Sequence, residues 1–284
     1  MIRWLLIPIL LLVALASQAE TPPAQDQVST DSVPTLKILS WNIYMLPRFA
    51  LITGKRKRAK VIPEVLNELD YDILVLQEAF HIGTRRVMRR KFRKAYPYQY
   101  GPANHKWTPV ITNSGIWIWS KIPLRPLEEI DYSLCQRDDC FARKGAFLLA
   151  GNWYGQEFQV LGTHMEAGPY RIKDTQYWEV RHLIDRHQQP GVPQILCGDY
   201  NTKRRDTAQY EEMLYVLDVE NGPILSDLKT TSGGGAYIDY IFIRDNGLEI
   251  DSVGRYIHDY THPWGRKGKD WLSDHKSVEI QIDF

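Results

Sequence analysis

Carboxylates, amides and histidines recur in this sequence where apolar runs stop. The clearest case is Gln194-Ile195-Leu196-Cys197-Gly198-Asp199-Tyr200-Asn201, an apolar strand pattern that ends in a glycine, a carboxylate and a carboxamide. Asp199 and Asn201 are two residues apart, so on extended chain they point the same way and can address one ligand. Asn42 follows a second apolar run, Glu78 a third, and His164 closes a fourth in Gly162-Thr163-His164. Asp239 opens the run Asp239-Tyr240-Ile241-Phe242, and Asp274-His275 precede the last one. Singly, each has an ordinary explanation as a turn former, a helix-start anion or a satisfied core histidine. Jointly they are improbable as background, because carboxylates beside apolar strands cost burial energy unless they are paired or hold a metal.

The residue types narrow the chemistry. Carboxylate and carboxamide oxygens suit a hard cation, Mg²⁺ or Mn²⁺, and the set lacks the clustered cysteines and closely spaced histidines of a zinc site. Such an ion keeps several waters, binds a substrate phosphate and neutralises charge in the transition state. A histidine oriented by a carboxylate is the expected base for activating water.

These residues need strands and helices to carry them. Strand patterns lie at 36–42, 72–78, 116–120, 145–153, 157–164, 194–199, 238–243, 248–257 and 276–282, with helical spacing at 58–69, 84–96, 173–187 and 208–216. Strands mixed with a few helices over one continuous span indicate a layered α/β or α+β domain, not a barrel of strict strand-helix alternation.

The N-terminal residues read separately. Arg3, the apolar run Trp4 to Ala16 and the small residues Ser17-Gln18-Ala19 form a signal-peptide pattern over 1–19, with an uncleaved anchor as the alternative. Residues 20–35 are rich in Pro, Gln, Ser, Thr and Asp and read as a flexible leader, so the catalytic domain is expected over 36–284 and the protein is expected outside the cytoplasm, periplasmic or extracellular. Without residues 1–19 only one base is lost, leaving 34 basic and 34 acidic residues, so net charge points to no polyanionic partner. Two local basic runs, Lys55 to Lys60 and Arg85 to Lys94, read as solvated helix faces. Cys135 and Cys140 lie close together in a polar loop and suit a disulfide in an exported protein, whereas Cys197 reads as a packed free thiol.

Ser40-Trp41-Asn42, Leu76-Gln77-Glu78, Gly162-Thr163-His164, Gly198-Asp199-Tyr200-Asn201, Ile238-Asp239-Tyr240-Ile241 and Ser273-Asp274-His275 resemble, in order, the motifs of the endonuclease/exonuclease/phosphatase (DNase-I-like) superfamily of metal phosphoesterases. The resemblance implies an α/β four-layer sandwich, two mixed β-sheets packed face to face with helices outside. It also implies roles: Glu78 as principal Mg²⁺ ligand beside Asn42, with Asp274 completing the metal environment through water. His275 would be the general base, oriented by Asp239, while Asp199 positions water, Asn201 contacts phosphate and His164 donates to a phosphate oxygen or assists the leaving group.

Flanking residues, Ile43-Tyr44-Met45-Leu46-Pro47, Ala79-Phe80, Lys144-Gly145 and Met165-Glu166-Ala167, resemble the secreted bacterial neutral sphingomyelinases within that superfamily. That branch implies a monomeric phosphodiesterase on sphingomyelin or a related choline phospholipid. Tyr256, Tyr260, Trp264 and Trp271 would fall where those enzymes carry an aromatic hairpin for transient membrane contact. The chain departs from the branch at Asn113-Ser114-Gly115-Ile116, where an acidic pair for a second metal is missing, and at Ala167-Gly168. An exported nuclease acting on nucleic acid, a phosphatase of the same superfamily and a silent binding module are the alternatives.

Overall fold

Most strand residues are apolar in unbroken runs, and a strand without a polar face needs cover on both sides. The computed structural model, which describes residues 33–47, 54–104, 113–264 and 270–284, supplies it with two sheets stacked on each other and helices outside. Strands β1 (Leu36–Asn42), β2 (Ile73–Gln77), β3 (Tyr98–Tyr100), β4 (Trp117–Ser120), β10 (Ser252–His258) and β11 (Ser277–Asp283) form one sheet in the order β10-β11-β1-β2-β4-β3. The other runs β5-β6-β7-β8-β9, from β5 (Arg125–Asp131), β6 (Gly145–Trp153), β7 (Gln156–His164), β8 (Gln194–Asp199) and β9 (Asp239–Arg244). Each is mixed: β1 pairs β2 in parallel and β7 pairs β8 in parallel, with the other pairings antiparallel.

The pleat divides each strand between two cores. Ile38, Ile73, Val75, Ile118, Val160, Ile195, Cys197 and Ile241 fill the space between the sheets. On the first sheet's outer face, Leu39, Trp41, Leu74, Leu76, Trp117 and Trp119 meet helices α1 (Lys55–Glu68) and α2 (Ile82–Phe92). On the second sheet's outer face, Leu161, Leu196, Tyr240 and Phe242 meet α3 (Tyr170–Arg186) and α4 (Thr207–Leu217). This is the expected four-layer arrangement. Gly162 lies on the inner face where an added Cβ would meet Val75 and Ile116 at 2.9 Å, so glycine sets how closely the sheets approach.

The same parity aims the polar residues. Asn42 shares a face with Ile38, His164 with Val160, Asp199 with Cys197, and Asp239 with Ile241. All four therefore leave the inter-sheet core at one end of the sandwich. The sequence patterns miss β3 and β5, both outer strands of their sheets. The run at 248–257 begins later than expected, at Ser252. Cys135 and Cys140 are bonded, with Cα atoms 5.2 Å apart, and Cys197 is a buried free thiol. The signal-peptide pattern and most of the leader lie outside the described residues.

Two members of the basic runs are not solvated. Arg58 is 3% exposed and its guanidinium donates to the carbonyls of Ile43 and Leu272 at 2.9 Å and of Tyr44 at 2.6 Å. It ties the loop after β1 to the segment before Asp274. Arg85 is also buried and donates to the carbonyls of Ala79 and Phe80, behind Glu78. A fixed planar donor can satisfy several loop carbonyls at once, which a solvated residue cannot. Arg58→Met is therefore expected to destabilise the protein by about 2–4 kcal/mol in urea unfolding, since it strands three carbonyls. Replacing exposed Arg56 with Met should stay within about 0.5 kcal/mol.

Candidate active site

The site begins with a paired histidine and carboxylate. His275 Nδ1 bonds Asp239 Oδ2 at 2.9 Å and Oδ1 at 3.1 Å. Asp239 is 1% exposed and opens β9, where the Thr231 hydroxyl accepts from the backbone N–H of Ile238 at 2.9 Å and of Asp239 at 3.0 Å. Backbone bonds from Lys276 to Thr231 and from Gly233 to Asp274, both 2.6 Å, lace this loop to the segment that carries His275 into β11. Trp41 Nε1 donates to the His275 carbonyl at 2.9 Å. His275 is thus held by its ring and by its backbone, with Nε2 turned to Asp199 Oδ2 at 3.8 Å.

Asp199 is the hub. Its Oδ2 accepts from Asn42 Nδ2 at 3.0 Å and lies 3.6 Å from His164 Nε2, and its Oδ1 accepts from the Asn201 N–H at 3.0 Å. Burial opposes its charge, but the fields of His275, His164 and Lys144 and the Asn42 bond hold its carboxyl below the ordinary range. For His164 burial dominates, with Lys144 adding to it, and the imidazole is pushed down to about 3, a neutral ring at pH 7. Its Nδ1 is buried without a hydrogen-bond partner among the described residues. His275 goes the other way: burial disfavours its charge, yet Asp239, Asp199 and Asp274 outweigh that and push it up to about 11.

Glu78 sits just past β2 with φ 57°, a left-handed conformation that is strained for a side chain of this size. Gly115 makes room for it: a Cβ there would stand 3.1 Å from the Glu78 Cα and 2.8 Å from the Phe80 ring. The departing segment Asn113 to Ile116 therefore packs directly behind Glu78, with Asn113 Oδ1 accepting from Gly115 N at 2.9 Å. Burial pushes the Glu78 carboxyl up to about 7, against the Asn42 amide beside it, and Asp274 raises it further. Its Oε2 is buried without a hydrogen-bond partner among the described residues. An orphaned carboxylate oxygen, with an amide and a second carboxylate nearby, fits a hard divalent cation better than it fits an empty core. Asp274 is half-buried, its Oδ1 3.4 Å from Ser273 Oγ.

Asp199, Asp239 and His275 also present one ligand atom each within 4.8 Å of one another. Two of those three are already bonded to each other, so as a set they describe a proton-handling pair with a neighbouring acid more directly than a metal cage. Asn201, at φ 51°, donates its side-chain amide to the Met165 carbonyl at 2.9 Å. The structure thus gathers Asn42, Glu78, His164, Asp199, Asn201, Asp239, Asp274 and His275 at one end of the sandwich.

Three site residues were not assigned from sequence. Lys144 is 7% exposed and donates to Met165 O at 2.9 Å while pairing with Asp139 at 3.0 Å. Thr231 reads in sequence as part of a polar loop, and Arg58 as one of a basic run. Of the aromatic stretch, Tyr260 stacks edge-on against Trp41 at 5.3 Å and Trp264 packs on the same outer core. Tyr256 lies within β10, and Trp271 is exposed, bridged across the hairpin to Thr261.

Comparison with known proteins agrees with the fold. Sphingomyelinase C of Leptospira interrogans is 27% identical over 93% of this chain, and phospholipase C of Staphylococcus aureus is 23% identical over 81% of it and 80% of that protein. The chain spans about half the length of the Leptospira relatives, 55% of one and 45% of another. A doubly substituted beta toxin from Staphylococcus aureus with bound magnesium ions superposes with TM-score 0.77 at 21% identity, covering 87% of this chain and 99% of that one. Sphingomyelinase C from Streptomyces griseocarneus gives 0.75 at 20% identity, over 88% and 100%. The Endonuclease/Exonuclease/phosphatase family model matches residues 39–275, which takes in every site residue above, and the chain belongs to that family.

Proposed function

We propose that this protein is an exported, divalent-metal-dependent phosphodiesterase that hydrolyses a choline phospholipid, sphingomyelin or a close relative, by attack of water on phosphorus. The observation that carries the chemistry is the His275–Asp239 pair facing Asp199, beside a Glu78 oxygen that has no hydrogen-bond partner among the described residues. Glu78 and Asn42 would hold Mg²⁺, with Asp274 in its outer surroundings; Mn²⁺ has the same ligand preference. A bound cation would neutralise phosphate charge and offset the carboxylate field that keeps a proton on His275.

The chain's own groups have separable tasks. His275 Nε2 takes the proton from water while Asp239 fixes the tautomer by holding Nδ1–H. Asp199, with the Asn42 amide on one oxygen, orients the attacking water. Asn201 offers its remaining amide hydrogen to phosphate. Neutral His164 donates one hydrogen bond to a phosphate oxygen or to the departing group.

The substrate assignment rests on the sphingomyelinase and phospholipase relatives. The inward-turned Arg58 and Arg85 subtract from the basic surface that a nuclease would need. Exposed Trp271 is the residue of the aromatic stretch best placed for transient membrane contact. A monomer with residues 1–19 removed and catalysis confined to 36–284 completes the proposal. The test is a panel of sphingomyelin, phosphatidylcholine, plasmid DNA and a phosphomonoester, each with Mg²⁺ and with EDTA. Release of phosphocholine only with Mg²⁺ is the expected result; nicking of plasmid without lipid hydrolysis would replace the assignment with the nuclease.

A further inference from the structure

One buried cation beside the site has no role in the scheme above. Lys173, in the first turn of α3, is 6% exposed and makes no ion pair among the described residues. Its Nζ donates to the backbone carbonyl of Asn201 at 2.8 Å. Burying an ammonium is costly unless charge or strong acceptors offset it, and a single backbone carbonyl offsets little. A neutral side chain could cover that carbonyl more cheaply if structure alone were at stake.

Asn201 shows what the ammonium holds. Its N–H is bonded to Asp199 Oδ1, its side-chain amide to Met165 O, and its carbonyl to Lys173, so all three polar groups that fix its left-handed backbone are engaged. The residues on either side are anchored in the core: Tyr200 is fully buried, and Thr202 bonds the Tyr177 hydroxyl, from the same helix as Lys173, at 2.5 Å. Burial lowers the Lys173 pKa, and Asp206, Asp199 and Glu166, none of them in an ion pair with it among the described residues, offset that only in part while Lys203 opposes them. Helix α3 thus reaches the phosphate-facing end of β8 through one charged strut.

We infer that Lys173 is a positioning residue that sets the Asp199–Asn201 turn for phosphate binding from beneath, through the Asn201 carbonyl. The inference rests on the proposed hydrolase reading for its kinetic consequences, and on geometry alone for its structural one. Lys173→Met is expected to lower kcat on sphingomyelin in detergent mixed micelles with Mg²⁺ by about 10- to 100-fold, as removal of a supporting bond at a metal-phosphate site typically does. KM should stay within about twofold, because the turn it sets bears on the phosphoryl oxygens chiefly as charge builds on them in the transition state. In an Asn201→Ala background, which keeps the carbonyl but removes the side chain that the turn presents to phosphate, the same substitution should cost under about threefold.

Amide hydrogen exchange gives an independent reading: residues 199–205 should exchange faster in Lys173→Met than in wild type, while β1 and β2 stay unchanged. Lys173→Gln, a shorter neutral donor, should show the same two effects in milder form, so the comparison survives a Met variant that does not fold. Unchanged exchange at 199–205, a kcat within threefold of wild type, or additive costs with Asn201→Ala would each overturn the inference. If wild type hydrolyses no phosphodiester, the proposed function falls and the exchange measurement alone decides the role of Lys173.

Discussion

Glu78→Gln is expected to lower kcat/KM for phosphodiester hydrolysis by about a thousandfold or more while leaving the fold intact. Lewis-acid stabilisation of a transferring phosphoryl group is worth several kcal/mol, and each 1.36 kcal/mol is tenfold in rate. The amide keeps the volume of the acid, so the packing of Glu78 against Gly115 survives. What is lost is the negative charge of a carboxylate, one oxygen of which has no hydrogen-bond partner among the described residues. The substitution also separates the metal role from a structural one. With EDTA present, wild type carries an uncompensated carboxyl in a site whose burial raises its pKa, so Glu78→Gln should melt at the same temperature or higher. With Mg²⁺ added, wild type should gain thermal stability by binding and the variant should not. Wild-type turnover in the variant, or an equal Mg²⁺-induced shift in both proteins, would remove Glu78 from the metal site.

The sequence shows this site well and its supports poorly, for a physical reason. Strands covered on both faces, such as Ile73–Gln77 and Gln194–Asp199, must be apolar throughout, so the polar residue at which each stops stands out. Strand parity then tells which of those residues share a face. Outer strands carry no such signal: Arg125–Asp131 mixes exposed and half-buried residues without strict alternation, contains a proline and two glutamates, and among the described strands pairs with β6 alone. Lys144, Lys173, Thr231 and Arg58 escape detection because their significance lies in contacts between distant segments. Arg58 reaches Leu272 across 214 positions of chain, and nothing in Lys55-Arg56-Lys57-Arg58 distinguishes the buried guanidinium from the solvated ones. Arg58 and Lys173 each lie on a helix face that packs inward, so helical spacing offered a cue, but a cation at such a position is ordinarily read as surface.

His275→Ala should reduce turnover by about 10²- to 10⁴-fold, the range that a positioned general base contributes. Asp239→Asn should also lose activity despite near-identical size, because an amide in place of the carboxylate no longer selects the tautomer with Nδ1–H and a free Nε2. The metal-free protein offers a second check that does not depend on activity. His275 is pushed up to about 11 by Asp239, Asp199 and Asp274 against its burial, from an ordinary value of 6.5. A group whose folded pKa is raised binds its proton more tightly in the folded state. Its contribution to stability is therefore complete below about pH 6.5 and declines as pH rises towards about 11. In EDTA, the stability difference between wild type and His275→Gln should be largest near pH 6 and smaller at pH 9. Asp239 contributes in the same sense, since burial raises its carboxyl from 3.8 to about 6, but its loss is largely over by about pH 6, below the window in which His275 acts. A difference that grows with pH would mean that His275 is neutral in the folded metal-free site and that the carboxylate field does not hold its proton.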